Sequence, residues 1–473
     1  MAPAVGGGRR QPQSLRAQLP EKTPDQRAPF PWRVVAVVLF LGVLVMYSAL
    51  WLLAAKPVGV AIVEIPLLML VTTPLFIRAS RAESRFDLGG LLAVGLALRF
   101  AAAYYRFTNG ADGLSYTDWG AELAKSYRHL NFGVDPQFPV PGTGGMRIVA
   151  GLAEVLTNSN AFATYLLFSW LGFLGCYLMF RALVTALPNA DRRRYALLVM
   201  LWPSLIFWPS SVGKDCWLLF TVGIAALGAA RVLVRKPGGY TLLAVGLLAG
   251  SFVRPHVTLL FLVAFAAALL VGRRDAKVGA LTPGSIAKIA GVIVLLVLGA
   301  VLATRTASLL QANDISGGGG TVINLSTQTG VGNSAFSAPN PQNPVGYVEA
   351  VVTVTFRPFL FEAHGTDMLA TSVEGIFLLG LCAVSWRRLA SIPRRLRSEP
   401  YVLLSVVFVL VFIFAFGTVS NFGLLARERI AMMPFLFVLL SLNVLPRREP
   451  RRPVAAGGRR TLPGRSRPAR GVR

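Results

Sequence analysis

The stretch "RVVAVVLFLGVLVMYSALWLLA" (33–54) carries one charged residue, Arg33. An apolar run of 18 or more residues is typical of a helix that crosses a membrane, because about 20 residues span the hydrocarbon core. The whole chain shares this character, since 54% of its 473 residues are hydrophobic and only 14% are charged. The runs lack the alternation of a membrane β-barrel. We therefore expect an all-α, polytopic membrane protein.

We interpret twelve apolar runs as transmembrane helices. They span residues 33–54, 58–77, 87–105, 159–182, 194–210, 214–235, 239–253, 256–272, 286–303, 367–387, 401–418 and 423–445. The flanking sequences are polar, basic and rich in Pro and Gly, which is typical of disorder. This divides the chain into a disordered N-terminus (1–32), a transmembrane domain (33–445) and a disordered basic tail (446–473).

The positions of the basic residues predict the orientation. They concentrate at both termini and in the segments 78–86, 183–193, 273–285 and 388–400, which share one side if there are twelve crossings. The positive-inside rule makes that side cytoplasmic, so we expect a multi-pass protein of the cell membrane with both termini inside, in contact with membrane lipids. The same rule accounts for the net charge of +26. The arginines form no patch interleaved with exposed aromatic residues, so no nucleic-acid partner is expected.

The opposite side receives two long outward loops, 106–158 and 304–366. In the first, "DWGAELAKSYRHL" (118–130) places apolar residues on one helix face, which predicts an amphipathic helix on the membrane surface with Asp118 as its N-cap. "GGMRIVAGLAEVLT" (144–157) predicts a second helix of this kind or a re-entrant one. The Gly- and Ser-rich part of the second loop fits a lid over a site and a passive linker equally well.

Two carboxylates in "NGADGLSYTDWG" (109–120) lie at the predicted outer boundary of the membrane. Charges near a membrane are costly and invite a functional interpretation. Asp112, with Tyr116 close behind it, could accept a proton from a hydroxyl group or hold a divalent cation against a phosphate. The structural alternatives are an Asx-turn for Asp112 and the helix N-cap for Asp118.

Several cationic residues belong to the same outward side: Lys214, Arg254, Arg357, Arg427 and Arg429. A guanidinium matches phosphate oxygens in bidentate geometry, so their common side suggests a shared anionic ligand such as a lipid-linked phosphate. The alternative is separate ion pairs, for instance of Arg427 or Arg429 with Glu428 or Glu362. Glu362 and His364 also fit an acid–base pair or metal ligands.

An outward segment with Asp112 and Tyr116, two surface helices and a bundle of further spans together resemble the GT-C superfamily of integral-membrane glycosyltransferases. A closer resemblance is to bacterial membrane proteins associated with polysaccharide synthesis. It rests on short motifs in a common order and covers most of 87–445. The motifs are "FWPSSVGKD" (207–215), "VRP" (253–255), "RPFLFEAH" (357–364) with Glu374, and "NFGLLARERIAMMPF" (421–435).

The resemblance implies an enzyme that takes a sugar or glycan from a polyprenyl-phosphate carrier at the outer face of the membrane. It implies Asp112 as the catalytic base or metal ligand, Tyr116 beside the substrate and, if Mg²⁺ or Mn²⁺ is used, Asp118 as a weaker second ligand. The carrier phosphate and sugar would lie among Lys214, Arg254, Arg357, Glu362, His364, Arg427 and Arg429. The chain departs from the family pattern, because its loop follows the third predicted span and Gly113 stands directly after Asp112.

The function that follows is a membrane glycosyltransferase of cell-envelope or exopolysaccharide synthesis. A glycan polymerase or ligase is a near alternative, which would use arginines rather than a metal. A transporter or flippase of lipid-linked oligosaccharide also suits twelve spans. It predicts an internal repeat and polar residues at mid-membrane. However, "DGLSYTDWG" (112–120) has no counterpart in the second half, and Glu64 is the one charge expected at mid-membrane. A non-catalytic scaffold of a cell-envelope complex is the third possibility.

Overall fold

A computed structural model describes residues 30–133, 140–271 and 334–444, and the regular elements in these ranges are helices. The all-α class is therefore confirmed. The first helices are α1 (Trp32–Leu52), α2 (Ala61–Ala82), α3 (Leu88–Asn109), α4 (Ala111–Arg128), α5 (Thr143–Leu156), α6 (Ala161–Ala186), α7 (Arg192–Leu201), α8 (Pro203–Phe207), α9 (Lys214–Leu233), α10 (Gly239–Ser251) and α11 (Pro255–Val271). The later ones are α12 (Pro344–Phe356), α13 (Thr366–Val384), α14 (Trp386–Leu389), α15 (Ile392–Arg395), α16 (Pro400–Phe416), α17 (Phe422–Glu428) and α18 (Met433–Leu440).

Six of the described helices are long and apolar enough to cross a membrane: α1, α2, α3, α6, α9 and α13. A seventh span results if the bent pair Trp386–Arg395 and Pro400–Phe416, which meet at 113°, is one crossing. Helices α10, α11 and α12 are apolar but shorter. These helices indicate a membrane protein, whereas the predicted count of twelve spans is not confirmed. The predicted span 286–303, the N-terminus up to residue 29 and the tail from residue 445 lie outside the described residues.

The predicted span 194–210 is broken between α7 and α8. Trp202 leaves the helical conformation (φ −65°, ψ 125°) immediately before Pro203. Proline lacks an N–H and disfavours a helical conformation in the residue before it. The carboxylate of Glu374 accepts three hydrogen bonds at the break, from Trp202 Nε1 at 2.6 Å, Ser204 N at 2.9 Å and Ser204 Oγ at 2.7 Å. This buried carboxylate holds α13 against the break.

The predicted span 423–445 is also interrupted. Helix α17 gives way to a 3-10 turn (Arg429–Ala431) before α18 begins. Arg429 is 1% exposed, and its Nη1 donates to the backbone carbonyl oxygens of Thr355 and Arg357, each at 3.1 Å. A buried guanidinium needs acceptors, and these carbonyls at the end of α12 supply them for Nη1, whereas Nε and Nη2 have no hydrogen bond among the described residues. The turn therefore ties α17 to α12.

Helices α3, α6 and α9 form the buried centre of the bundle, whereas α1 and α2 lie on its outside with most of their surface exposed. Helices α6 and α9 approach closely at Gly175 and Gly223, which have no side chains. A Cβ on Gly223 would lie only 2.6 Å from the carbonyl oxygen of Gly175, so a larger residue would force the helices apart. Arg99 of α3 is a buried charge that the sequence analysis did not single out. Its guanidinium donates to the carbonyl oxygens of Met200 (3.2 Å) and Leu205 (3.2 Å), so it fixes both sides of the break between α7 and α8.

The first outward loop forms two helices, but α4 begins at Ala111, seven residues before the predicted start at residue 118. Asp118 therefore lies inside α4, and the prediction that it caps a helix is wrong. Gly110 is the N-cap, and Asp112 lies in the first turn, where the helix dipole favours a carboxylate. Asp112 is therefore part of a helix, and the alternative that it forms an Asx-turn is wrong. Helix α5 begins at Thr143, one residue from the predicted start.

Part of the second outward loop, 304–366, is also helical. Its residues 344–356 form the apolar helix α12, where the sequence analysis placed no span. Asn343 caps this helix, since its side-chain oxygen accepts the backbone N–H of Gly346 at 2.6 Å. The Gly-rich part up to residue 333 lies outside the described residues, so the choice between a lid and a linker stays open.

The packing of α4 on α5 buries the carboxylate of Glu154, whose two oxygens have no hydrogen bond within the described residues. Burial raises the pKa of Glu154, and the Thr164 hydroxyl and the Arg128 guanidinium lower it by less; the nearby Asp118 raises it further. With a raised pKa the folded protein holds this proton more tightly than the unfolded chain. The stability that Glu154 contributes is therefore lost as pH rises above the usual glutamate range through the folded pKa.

We predict that Glu154→Gln becomes progressively more stable than the wild type as pH rises from about 5 to about 8, because glutamine cannot ionise. The measurement is the thermal unfolding midpoint of the two proteins in detergent across this range. Glu122→Gln, at an exposed position of the same α4–α5 pair, is the control and should give a small, constant difference. A difference for Glu154→Gln that does not change with pH would contradict the prediction.

Candidate functional site

The predicted outward segments converge at one end of the bundle and enclose a polar cavity of about 340 Å³. The cavity lies between the starts of α4, α5 and α9, the turn before α11, and α17. Its lining residues are Asp112, Ser115, Tyr116, Thr143, Arg147, Lys214, Arg254, Leu424, Arg427 and Glu428. Five of the residues that the sequence analysis proposed for a site therefore meet here: Asp112, Tyr116, Lys214, Arg254 and Arg427.

An alternating chain of charges forms the wall of the cavity, in the order Glu428, Arg254, Asp215, Arg427, Asp112. Arg254 Nη2 lies 3.0 Å from Asp215 Oδ1, and Arg427 Nη1 lies 2.7 Å from Asp112 Oδ2. Arg254 also pairs with Glu428, and Arg427 with Asp215. The first four side chains are at most 19% exposed, whereas that of Asp112 is 64% exposed. Because each arginine bridges two carboxylates, the network leaves no buried member uncompensated.

The local sequence explains why these groups point to one place. Asp215 lies in the first turn of α9, where the helix dipole favours a negative charge. Arg254 lies in the turn between α10 and α11, directly before Pro255. Proline favours the first position of a helix, and α11 begins at this residue. Asn421 caps α17 by accepting a backbone N–H at 3.0 Å, and Arg427 lies in the last turn of that short helix.

Lys214 differs from the two arginines because it has no ion pair with a carboxylate of the described residues. Its Nζ donates to Thr143 Oγ1 at 2.9 Å, which links α9 to α5 across the cavity. An ammonium group has three donors, so two remain for a ligand. Lys214 is therefore the cation of the cavity best placed to bind an anion.

An aromatic edge lies beside the charged wall. Burial raises the pKa of Tyr116, and the Arg427 guanidinium lowers it by less, so the phenol stays protonated and can donate a hydrogen bond. Arg147 places its guanidinium carbon 4.1 Å from the ring centroid of Trp119, a cation–π contact. Arg147 was not proposed from the sequence, although it is the one basic residue among the mostly apolar residues of 144–157.

Two of the proposed site residues form their own ion pair away from the cavity. Arg357 Nε lies 3.0 Å from Glu362 Oε1, and the guanidinium packs over the rings of Phe336 and Phe422 at 4.8 and 5.0 Å. Partial burial raises the pKa of Glu362, but hydrogen bonds from Arg357 and from the backbone of Phe359 lower it more, so it lies below its usual range. Glu362 thus forms a separate ion pair, as the alternative interpretation expected, but with Arg357 rather than with Arg427 or Arg429.

Arg429 and His364 do not line the cavity either. Arg429 bonds the backbone carbonyls described above, and His364 is exposed without a hydrogen bond to the described residues. The pairs of Arg427 or Arg429 with Glu428 or Glu362 that the sequence suggested do not form; Arg254 holds Glu428 instead.

The two carboxylates considered for a metal lie far apart along α4. Six residues of helix separate Asp112 from Asp118, which corresponds to about 9 Å along the axis and about 120° around it. Asp112 contacts Arg427, whereas Asp118 lies near Glu154. In the described ranges, no group of three or more His, Cys, Asp or Glu side chains is arranged to hold a metal ion.

Comparison of the chain with models of protein families, with curated proteins and with solved structures gives no match. The geometry of the cavity therefore carries the functional argument.

We predict that Arg254→Met destabilises the protein by about 3–5 kcal/mol, because it leaves Asp215 and Glu428 as buried carboxylates without this partner. Unfolding in detergent, followed by helix content, measures the effect. Lys125→Met breaks an exposed pair with Glu122 at 2.7 Å and should cost less than about 1 kcal/mol.

Combining Arg254→Met with Glu428→Gln should restore part of the lost stability, because one stranded charge is removed. Equal effects of Arg254→Met and Lys125→Met on the free energy of unfolding would show that the buried ion pairs do not stabilise the fold more than an exposed pair does.

Proposed function

We propose that this chain is a membrane glycosyltransferase that takes a sugar or glycan from a polyprenyl-phosphate carrier, in cell-envelope or exopolysaccharide synthesis. The observation that carries the proposal is the cavity in which an exposed carboxylate, Asp112, stands beside Lys214, Arg254 and Arg427. Such a site offers a proton acceptor and a set of cations within one enclosure. Transfer from a phosphate carrier needs both.

The position of the cavity along the bundle suits a substrate with a membrane-bound carrier. Helix α9 begins at the cavity with Lys214 and ends at Leu233, close to the basic residues Arg231 and Arg235. Its 20 residues correspond to about 30 Å, the thickness of the hydrocarbon core. The cavity would then lie at one membrane surface and the arginine-rich turns at the other. By the positive-inside rule the cavity end is the outer one.

The proposed reaction is attack by an acceptor hydroxyl oxygen on the anomeric carbon of the carrier-linked sugar. Asp112 takes the hydroxyl proton as the new C–O bond forms, and the bond from the anomeric carbon to the phosphate oxygen breaks. The phosphate leaves with the electron pair of that bond. One direct attack inverts the anomeric carbon, and two successive attacks retain it.

Within this scheme Arg427 orients Asp112 by binding one carboxylate oxygen. The second oxygen has no hydrogen bond from the described residues and can accept the proton. Lys214 contributes two free N–H donors to the leaving phosphate, while Arg254 adds positive charge to the same wall. Charge developing on the phosphate is thus met by cations already held in place, which is how a preorganised site lowers a barrier.

A glycan polymerase or ligase would use the same cavity with a whole glycan as the transferred group, and the length of the product distinguishes it. A flippase would move the lipid-linked glycan without forming a bond. These alternatives share the carrier phosphate, so a test of transfer and a test of phosphate binding separate them.

We predict that Asp112→Asn lowers transfer of labelled sugar from the lipid fraction to glycan by about 10²–10⁴-fold, the usual effect of a lost general base. The assay uses membranes of a deletion strain complemented with each variant. Asp118→Asn, on the same helix but away from the cavity, is the matched control and should keep nearly full activity.

Full activity of Asp112→Asn would exclude the base assignment. Equal losses in both variants would instead favour a site that needs two carboxylates. Movement of lipid-linked sugar between leaflets without transfer would establish the flippase.

We also predict that Lys214→Gln weakens binding of undecaprenyl phosphate, used as a probe, to the full chain in detergent. Loss of one charge-assisted hydrogen-bond donor from a phosphate site should lower affinity about tenfold or more. Lys125→Gln removes an exposed lysine of α4 and should change binding little. Equal binding by the wild type, Lys214→Gln and Lys125→Gln would show that Lys214 does not contact the phosphate. This conclusion would hold whatever the result for Asp112→Asn.

A further inference from the structure

A second recess lies far from the polar cavity, between α1, α2 and α3. It is a groove of about 530 Å³ whose walls are almost wholly apolar, including Phe40, Leu41, Met69 and Phe76. Two arginines, Arg33 of α1 and Arg81 of α2, stand at one end of it. The groove is therefore amphipathic along its length, apolar inside and cationic at one end.

The two tryptophans of α1 indicate where the groove lies in a membrane. Trp32 and Trp51 are 19 residues apart, which corresponds to about 28 Å of helix, close to the hydrocarbon thickness of about 30 Å. Tryptophan favours both membrane interfaces. Along α1 the groove runs from Arg33 to Leu41, about 12 Å, so it occupies one leaflet and places its arginine at the Trp32 interface.

The arginines are held at the groove by close helix packing. A Cβ on Gly90 of α3 would lie 2.7 Å from the backbone nitrogen of Arg33, so only glycine allows this approach of α3 to α1. Arg33 Nε bonds Asp87 Oδ1 at 3.1 Å, while its side chain remains 73% exposed. Arg81 has no acidic partner among the described residues. The end of the groove therefore carries more positive than negative charge.

We propose that this groove binds an anionic glycerophospholipid of the leaflet on the arginine-rich side, which the charge distribution predicts to be cytoplasmic. The lipid phosphate lies between Arg33 and Arg81, and an acyl chain fills the apolar groove. Burial of a chain contributes about 0.8 kcal/mol per CH₂, and each basic residue near the headgroup about 1 kcal/mol. The proposal is independent of the glycosyltransferase proposal, because it involves none of the cavity residues.

Helix α2 also supplies a matched control. Its groove residues recur at spacings of seven and four, which place them along one side of the helix: Met69, Phe76, Ile77, Ser80 and Arg81. Arg78 is exposed and does not line the groove. Arg78 and Arg81 share one helix, one charge and one end of the helix. A general attraction of basic residues to an anionic membrane would involve Arg78 and Arg81 equally. A specific lipid site in the groove would involve Arg81 and not Arg78.

The test counts lipids bound to the full chain by native mass spectrometry, with dioleoyl phosphatidylglycerol or dioleoyl phosphatidylcholine added to the detergent. We expect one phosphatidylglycerol to bind more tightly than phosphatidylcholine. Arg81→Gln should weaken phosphatidylglycerol binding about fivefold, the equivalent of about 1 kcal/mol, and Arg78→Gln should leave it unchanged. Arg33→Gln should weaken it by a similar factor.

Equal affinity of the wild type for the two lipids would overturn the proposal, because it would indicate unselective annular lipid. Equal losses in Arg81→Gln and Arg78→Gln would also overturn it, because they would indicate general surface attraction. Neither result affects the prediction for Asp112, so this proposal and the proposed enzymatic function can fail separately.

Discussion

One end of the bundle depends on one constraint: the buried Arg254 and the largely buried Arg427 must be neutralised by carboxylates from distant parts of the chain. Arg254 reaches Asp215, 39 positions away, and Arg427 reaches the same carboxylate across 212 positions. An uncompensated buried charge costs several kcal/mol, so α9, the turn before α11 and α17 cannot separate without stranding one. The polar cavity exists because these three elements are held together. The residues of the candidate site therefore largely coincide with the ion-pair network that holds these helices together.

The charge balance of the cavity indicates the sign of its ligand. Four cations line the cavity, Arg147, Lys214, Arg254 and Arg427, together with the carboxylates of Asp112 and Glu428. Asp215, which is outside the lining, pairs with Arg254 and Arg427, so these seven groups leave an excess of one positive charge. A largely buried site with such an excess is stabilised by an anion. A phosphate diester carries one negative charge, so the balance agrees with the lipid-linked phosphate that we propose as substrate.

The sequence predicted the helical class and the grouping of Asp112, Tyr116, Lys214, Arg254 and Arg427, because charges at helix ends in an apolar chain must find a partner or a ligand. It could not distinguish Arg357 and Arg429 from the other arginines, since all follow or precede apolar runs. Their partners are a carboxylate, two rings and backbone carbonyls that only the fold brings near. The break in the predicted span 194–210 was missed for a related reason: hydropathy averages over Trp202 and Pro203, whereas proline breaks the backbone at one residue.

Within the network, the degree of burial separates structural from chemical roles. Arg427 binds Asp112 through one oxygen and has a second partner in Asp215, so protonation of the other, exposed oxygen of Asp112 leaves no buried charge unpaired. Asp215 and Glu428 have no such freedom, because neutralising either would leave an arginine with one carboxylate fewer inside the network. The buried members thus hold the cations in a fixed geometry, and Asp112 lies at the exposed end of the network. The exposed carboxylate is for this reason the best placed of the three to act as the base in the proposed reaction.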